Sequence, residues 1–382
     1  KMTAGAVDLG EKPSVVSAIA KYHVTERARQ VVNDGMDIVG GKGICLGPSN
    51  FLGRAYQQIP IGITVEGANI LTRSLIIFGQ GAIRCHPFLL PEMQAAQNPN
   101  VKQGLVDFDK ALWGHIGFTI KNGLRALWLG MTGSHFAAVN VETAPEMKRY
   151  YQQMTRFSAA FAFLSDISLL VLGGSVKRRE KLSARLGDIL AQMYLISCTL
   201  KRYEEEGRNA ADAPLAHWAI WDAMYKAQQA FDGVIANFPV RFIAAFLHRS
   251  IFPWGHPYVV PSDDLGHQVA KSLIAPSATR DRLTAECFLP QTENEPVGAI
   301  ELALIATLEA EAIEGKIRQA EKAGRFANNP QANVRDIATV AVECGVITAA
   351  EYDVMKRRNH LRDIVVRVDD FPFDYNVATA NK

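Results

Sequence analysis

Almost nowhere in this chain do apolar and polar residues alternate with the period of two that a half-buried strand requires; what recurs is the three-to-four-residue spacing of an amphipathic helix. Over residues 14–38, Val15, Ile19, Val24, Ala28, Val31, Val32 and Met36 fall close to that period, behind Pro13, a residue suited to a first helical turn. One long helix is predicted there. It stops at Gly40-Gly41-Lys42-Gly43, because glycine takes the left-handed conformation at a helix C-terminus without a Cβ penalty. The same reading gives helices over 2–8, 68–83, 107–131, 146–172, 183–206, 214–237, 297–323 and 334–358, with 54–64 a connector around Pro60. In the 68–83 helix, Ile70, Leu71, Leu75, Ile76 and Phe78 are expected to face inward. The fold class is therefore all-α.

With 382 residues, 48% of them hydrophobic, the chain exceeds the roughly 250–300 residues at which a single core stops growing, so two domains are expected. Pro87, Pro91 and Pro99, with the polar run Gln94 to Asn98, mark a linker between them. This divides a helical domain over 1–95 from a helical extension over 96–382, in which the proline-rich 252–296 reads as an irregular wrap. Val171-Leu-Gly-Gly-Ser-Val176 echoes Ile38-Val-Gly-Gly-Lys-Gly43, although glycine pairs at helix ends are common. No apolar run reaches the roughly 20 residues that span a bilayer, the nearest, 157–174, being interrupted by Asp166. A first residue that is Lys1, already inside a helix, gives the expectation of a C-terminal portion of a longer protein.

Net charge is only +2, from 41 basic and 39 acidic residues mixed along the length, which argues against nucleic acid as a partner. The five cysteines form no CxxC pair and have no histidine at metal-ligand spacing, so free thiols, a reducing cytoplasmic setting and no bound metal are expected. Over 240–251, Phe242, Ile243, Phe246 and Leu247 combine with Arg241, His248 and Arg249, followed by Trp254 and Tyr258. That stripe suits either a packed subunit contact or a peripheral, inner-membrane-associated helix.

Glu66, in Ile63-Thr-Val-Glu-Gly-Ala-Asn-Ile-Leu-Thr72, precedes a helix expected to open with Gly67. The positive field of a helix N-terminus would hold the carboxylate ionised, while apolar neighbours would strip its water and raise its basicity. That environment suits a general base; the plainer alternative is an acid that stabilises a helix start by about 0.3–1 kcal/mol. Arg54, Arg73 and Arg84 read as ion-pair residues or phosphate ligands, His86 as structural, and Lys177 to Lys181 as a solvated face.

Taken together, Ala20-Lys21 inside a long helix, Gly40-Gly41-Lys42-Gly43, Arg54 and Glu66-Gly67 before a helix resemble the last third of an acyl-CoA dehydrogenase. The strings 64–73, Phe78-Gly-Gln-Gly-Ala-Ile-Arg-Cys-His-Pro87 and 172–188 are similar to the large bacterial fatty-acyl-CoA dehydrogenases of β-oxidation, which carry a long C-terminal extension. The resemblance implies FAD chemistry on a fatty acyl-CoA: Glu66 takes the α-proton, hydride leaves the β-carbon, and trans-2-enoyl-CoA results. It implies a backbone hydrogen bond from Glu66 to the thioester carbonyl, room for substrate at Gly67, and flavin contacts at Gly40, Gly41, Gly43, Ala68 and Ile70. Asp37, Ala68 and Ile70 depart from the family pattern at flavin-facing places. It further implies a homo-oligomer, an electron-transfer flavoprotein or equivalent acceptor, and preceding domains that hold FAD and the acyl chain, without which this chain would be inactive. The alternatives are an acyl-CoA oxidase, or a non-catalytic helical module that docks a partner or a membrane.

Overall fold

The structure is a computed structural model describing residues 1–326 and 334–371. In chain order its helices are α1 (Met2–Asp8), α2 (Ser14–Val39), α3 (Gly41–Ile44), α4 (Gly53–Thr64), α5 (Asn69–Leu71), α6 (Gly81–Cys85), α7 (Leu89–Ala96), α8 (Val101–Met131) and α9 (Lys148–Leu172). They continue as α10 (Glu180–Glu205), α11 (Ala213–Ala236), α12 (Arg241–Ile251), α13 (Asp263–Leu273), α14 (Ala278–Thr284), α15 (Pro296–Lys322), α16 (Val334–Glu343) and α17 (Ala349–Val366). A π-helical stretch, Thr72–Gln80, joins α5 to α6. No strand occurs among the described residues, so the chain is all-α.

By packing, the chain divides into two units, Lys1–Glu26 with Ile61–Val269, and Arg27–Pro60 with Ala270–Lys382. In the first, α8 packs on α7, α9 and α12, and α10 packs on α11, α9 and the π-helical stretch. Their inward faces bring Leu164, Leu186, Ile189, Ile196, Ile220, Met224, Phe231 and Leu247 into one cluster shut off from solvent. Each such side chain contributes about 1.5–3 kcal/mol. A smaller cluster of Ile19, Ile77 and Ala191 ties the start of α2 to the π-helical stretch and α10. In the second unit α15 and α16 pack on α17 around Ala310, Ile313, Ile317, Ala341 and Met355.

Several local expectations change. The 54–64 connector is the helix α4, with Pro60 inside it. Asn50 explains this: its Oδ1 accepts from the N–H groups of Leu52 (3.0 Å) and Gly53 (2.7 Å), nucleating a helix despite the proline. The expected linker contains α7, because Pro91 falls in the first turn, where its missing N–H has no intrahelical partner to lose. Asn100 accepts from the Gln103 N–H and starts α8 at Val101, six residues ahead of the expected 107. The 252–296 wrap holds α13, with Asp263 and Asp264 in its first turn, and α14, capped by Ser277. The 334–358 helix is two helices, broken at Gly345 (φ +65°) and restarted by a Thr348–Glu351 capping box.

By length and composition α9 does qualify as long and apolar enough to cross a bilayer. Its Phe157, Ala160, Phe163, Leu164 and Asp166 lie buried in the first unit, and this packing accounts for its apolarity. The glycine echo has a conformational counterpart: Gly40 (φ 57°, ψ −133°) and Gly173 (φ 51°, ψ −137°) share one backbone geometry directly after a helix.

Candidate active site around Glu66

α4 ends at Thr64, and the chain then turns through two consecutive left-handed residues, Glu66 (φ +57°) and Gly67 (φ +88°). Gly67 suits this backbone, whereas an L-residue such as Glu66 is held there at a cost of about 1–2 kcal/mol. Such an outlier persists only where its surroundings impose it. α5 opens at Asn69 with Ala68 as its N-cap, two residues later than expected.

That register turns Asn69, Thr72 and Ser74 inward and leaves Ile70 and Leu71 exposed, 76% and 45% respectively, so the inward stripe predicted from Ile70 and Leu71 does not form. The Glu66 carboxylate is exposed as well, without the dry apolar surround expected from its neighbours. No described residue hydrogen-bonds or ion-pairs with that carboxylate, and no backbone carbonyl among the described residues accepts from the Glu66 N–H.

What grips the turn is Lys21 on α2. Its ammonium donates to the Gly67 carbonyl at 2.7 Å and to Asn69 Oδ1 at 2.6 Å, with the Ile63 carbonyl at 3.4 Å. Asn69 is buried, and its Nδ2 donates to Thr25 Oγ1 (2.9 Å) and Glu26 Oε1 (2.8 Å). Sequence reading had Lys21 only as part of a resemblance and did not single out Asn69, because no pattern links positions 48 residues apart.

In the second unit, Gly40 ends α2 in the left-handed region as predicted, and a Cβ at Gly40 or Gly41 would meet nothing within 4 Å. A Cβ at Gly43 would come within 2.9 Å of Met36 Sδ and Val39 Cγ2, so this glycine serves close packing against its own preceding helix. Lys42 is buried and donates to the Val365 carbonyl at 2.6 Å; burial pulls its pKa down, with Asp369 opposing.

Two family models match: the bacterial-type C-terminal region of acyl-CoA dehydrogenase over residues 83–371, and the C-terminal domain of acyl-CoA dehydrogenases over residues 2–78. The chain belongs to the acyl-CoA dehydrogenase family. No solved structure matches it. Against the flavin expected of this family, Gly40 and Gly41 fit, offering open backbone that a pyrophosphate arm can approach. Gly43 does not fit, being packed, and the Lys42 ammonium is committed to backbone carbonyls. Ala68 is half-buried and Ile70 exposed, so of these two apolar side chains Ile70 is the one presented to solvent beside Glu66.

Among the other polar groups singled out from the sequence, Arg73 and His86 make structural contacts. Arg73 pairs with Asp188 through both carboxylate oxygens, Nε at 2.7 Å and Nη2 at 2.5 Å, and this pairing raises its pKa. Arg54 and Arg84 are exposed, as are Lys177 to Lys181. His86, His115 and Asp166 offer atoms within 4.8 Å of one another, a spacing a cation could use. Proton accounting gives another role. His86 Nδ1 accepts from the N–H groups of Phe88 and Leu89, each at 3.2 Å, so its proton sits on Nε2 and is donated to Asp166 Oδ1 at 2.9 Å. Thr119 donates to Asp166 Oδ2 at 2.7 Å, and His115 Nδ1 to Glu92 at 2.8 Å. The His86 lone pair thus caps α7 and is not offered to a metal.

Proposed function

We propose that, in the complete enzyme, Glu66 is the base that removes the α-proton of a fatty acyl-CoA, yielding trans-2-enoyl-CoA. One observation carries this reading: an acidic, non-glycine residue held at φ +57° beside Gly67, with its carboxylate exposed and unengaged by any described residue. The Glu66 carboxylate receives the proton, and the uncommitted Glu66 N–H donates to the thioester carbonyl, where enolate charge develops. Such a donor is typically worth about 3–4 kcal/mol in the transition state. Gly67 keeps the approach free of a Cβ. FAD, when bound, would accept the hydride from the β-carbon; the open backbone of Gly40 and Gly41 would hold the pyrophosphate arm of a neighbouring subunit's FAD. The exposure of Glu66 agrees with a cleft whose remaining walls come from the flavin-holding domains characteristic of the family.

The test is Glu66→Gln in the complete enzyme. Flavin should stay bound while its bleaching by acyl-CoA disappears; normal bleaching would overturn the assignment. An electron-transfer flavoprotein is the proposed acceptor, and stoichiometric hydrogen peroxide during turnover would favour the oxidase alternative. The isolated chain should be colourless and inactive.

A second reading concerns place. Phe242 and Phe246 on α12, with the following Trp254, are 76%, 58% and 79% exposed, which supports peripheral contact with a membrane through this face. Leu247 and Tyr258, also in the predicted stripe, are instead buried in the core.

A further inference from the structure

We propose that Lys21 is a positioning residue for the reaction, holding Glu66 in its reactive conformation by gripping both sides of the turn; the catalytic part of this inference rests on the reading of Glu66 as the base. A lysine ammonium has three hydrogens and no acceptor. Here the three meet the Ile63 carbonyl near the end of α4, the Gly67 carbonyl just beyond Glu66, and Asn69 Oδ1 at the start of α5. These acceptors flank the strained residue on each side, while Glu66 itself receives no support through its own side chain from any described residue. The restraint on φ of Glu66 therefore comes through the neighbouring backbone.

Asn69 makes the grip directional. Its amide is sandwiched between the Lys21 ammonium on its oxygen and the Glu26 carboxylate on its nitrogen, so opposite charges forbid the flipped orientation. Lys21, Thr25 and Glu26 all sit on α2, and Thr25 Oγ1 is itself anchored by donating to the Lys21 carbonyl at 2.8 Å. Ile19, nearby on α2, is fully buried against Ile77 and Ala191, so the clamp is mounted on a packed helix. The turn carries the base, and the helix core carries the turn.

The experiment uses the complete enzyme with Lys21→Met, and Asn69→Asp as a second variant in case the first does not fold. With Lys21→Met, kcat should fall about 100-fold, as expected for a base displaced by about an ångström, with flavin content retained. KM for acyl-CoA should stay within about threefold, and the isotope effect on α-deuterated acyl-CoA should rise as proton abstraction becomes more rate-limiting. Asn69→Asp sets a carboxylate against Glu26 and should lower kcat in the same sense. A flavin-loaded Lys21→Met enzyme with kcat within about twofold of the parent would overturn the catalytic role. Hydrogen exchange separates this from failure of the base assignment. If Glu66→Gln proves active, the base reading falls, and the clamp is then judged by amides 65–69. Faster exchange there in Lys21→Met, with α10 and α11 unaffected, supports the clamp; unchanged exchange refutes it.

Discussion

The phenol oxygen of Tyr150 lies 2.8 Å from Nδ1 of His217, and burial pushes the two groups apart in titration, the phenol up to about 12 and the imidazole below its ordinary value. Both shifts favour the neutral pair, in which the phenol donates to the ring nitrogen. A histidine whose folded pKa is depressed contributes fully above its unfolded value, near 6.5, and that contribution is lost as pH falls further. A tyrosine whose pKa is raised contributes below about 10 and loses its contribution as pH rises from there. Urea midpoints should therefore decline on acidification from pH 7.5 to about 5.5, and His217→Gln should flatten that decline. An equally steep decline in the variant would contradict the assignment.

Glu66 itself should be a stability liability. Glu66→Gly removes the left-handed penalty and should raise unfolding free energy by about 1 kcal/mol, less some backbone entropy, while removing the base. Denaturant titration of the chain alone is sufficient, and a lower midpoint would argue that φ of Glu66 is not strained.

The Arg73–Asp188 pair joins the π-helical stretch to α10 with bidentate geometry, but both side chains keep partial access to solvent, 38% and 23%. A double-mutant cycle with Arg73→Met and Asp188→Asn should give a coupling of about 1 kcal/mol that shrinks in high salt. No coupling at low salt would leave Ile77, and not this pair, as what joins the π-helical stretch to α10.

Gly298, in the first turn of α15, has no room for a methyl group: a Cβ there would collide with the Thr292 carbonyl oxygen and lie 2.7 Å from that of Pro290. Because backbone cannot swing aside as a side chain can, Gly298→Ala should destabilise by about 1–3 kcal/mol or more. Thermal unfolding of the chain measures it, with Gly315→Ala, whose Cβ would meet nothing within 4 Å, as the tolerant comparison.

For the exposed aromatic face, flotation with anionic liposomes should carry the chain upward, and Phe242→Ser with Phe246→Ser should abolish it. A parent chain that stays at the bottom of the gradient removes the membrane reading.

Where an element's signal is local, it was readable. The end of α2 at Gly40 and the helical class follow from residue chemistry that acts within one turn. The connector expected at 54–64 is α4 instead, because Pro60 is conspicuous in the sequence while the nucleating cap is a single asparagine, Asn50, whose amide also holds the carbonyls of Lys42, Gly43 and Cys45 at 2.9 Å. The expected dry pocket at Glu66 failed for a different reason. Asn69 and Thr72 are buried while Ile70 and Leu71 are exposed, and from Thr72 the winding is π-helical, so the 3.6-residue period that placed Ile70 and Leu71 inward does not apply there.

The order of residues alone determined that this chain would be helical and that α2 would stop at Gly40, since periodicity and the positive-φ tolerance of glycine are properties of neighbours in the chain. Only the folded chain decided that Glu66 would be strained and open, that Lys21 would grip its turn, and that His86 would cap a helix and steady Asp166. Those outcomes depend on distances between residues far apart in sequence, which packing sets and local chemistry does not.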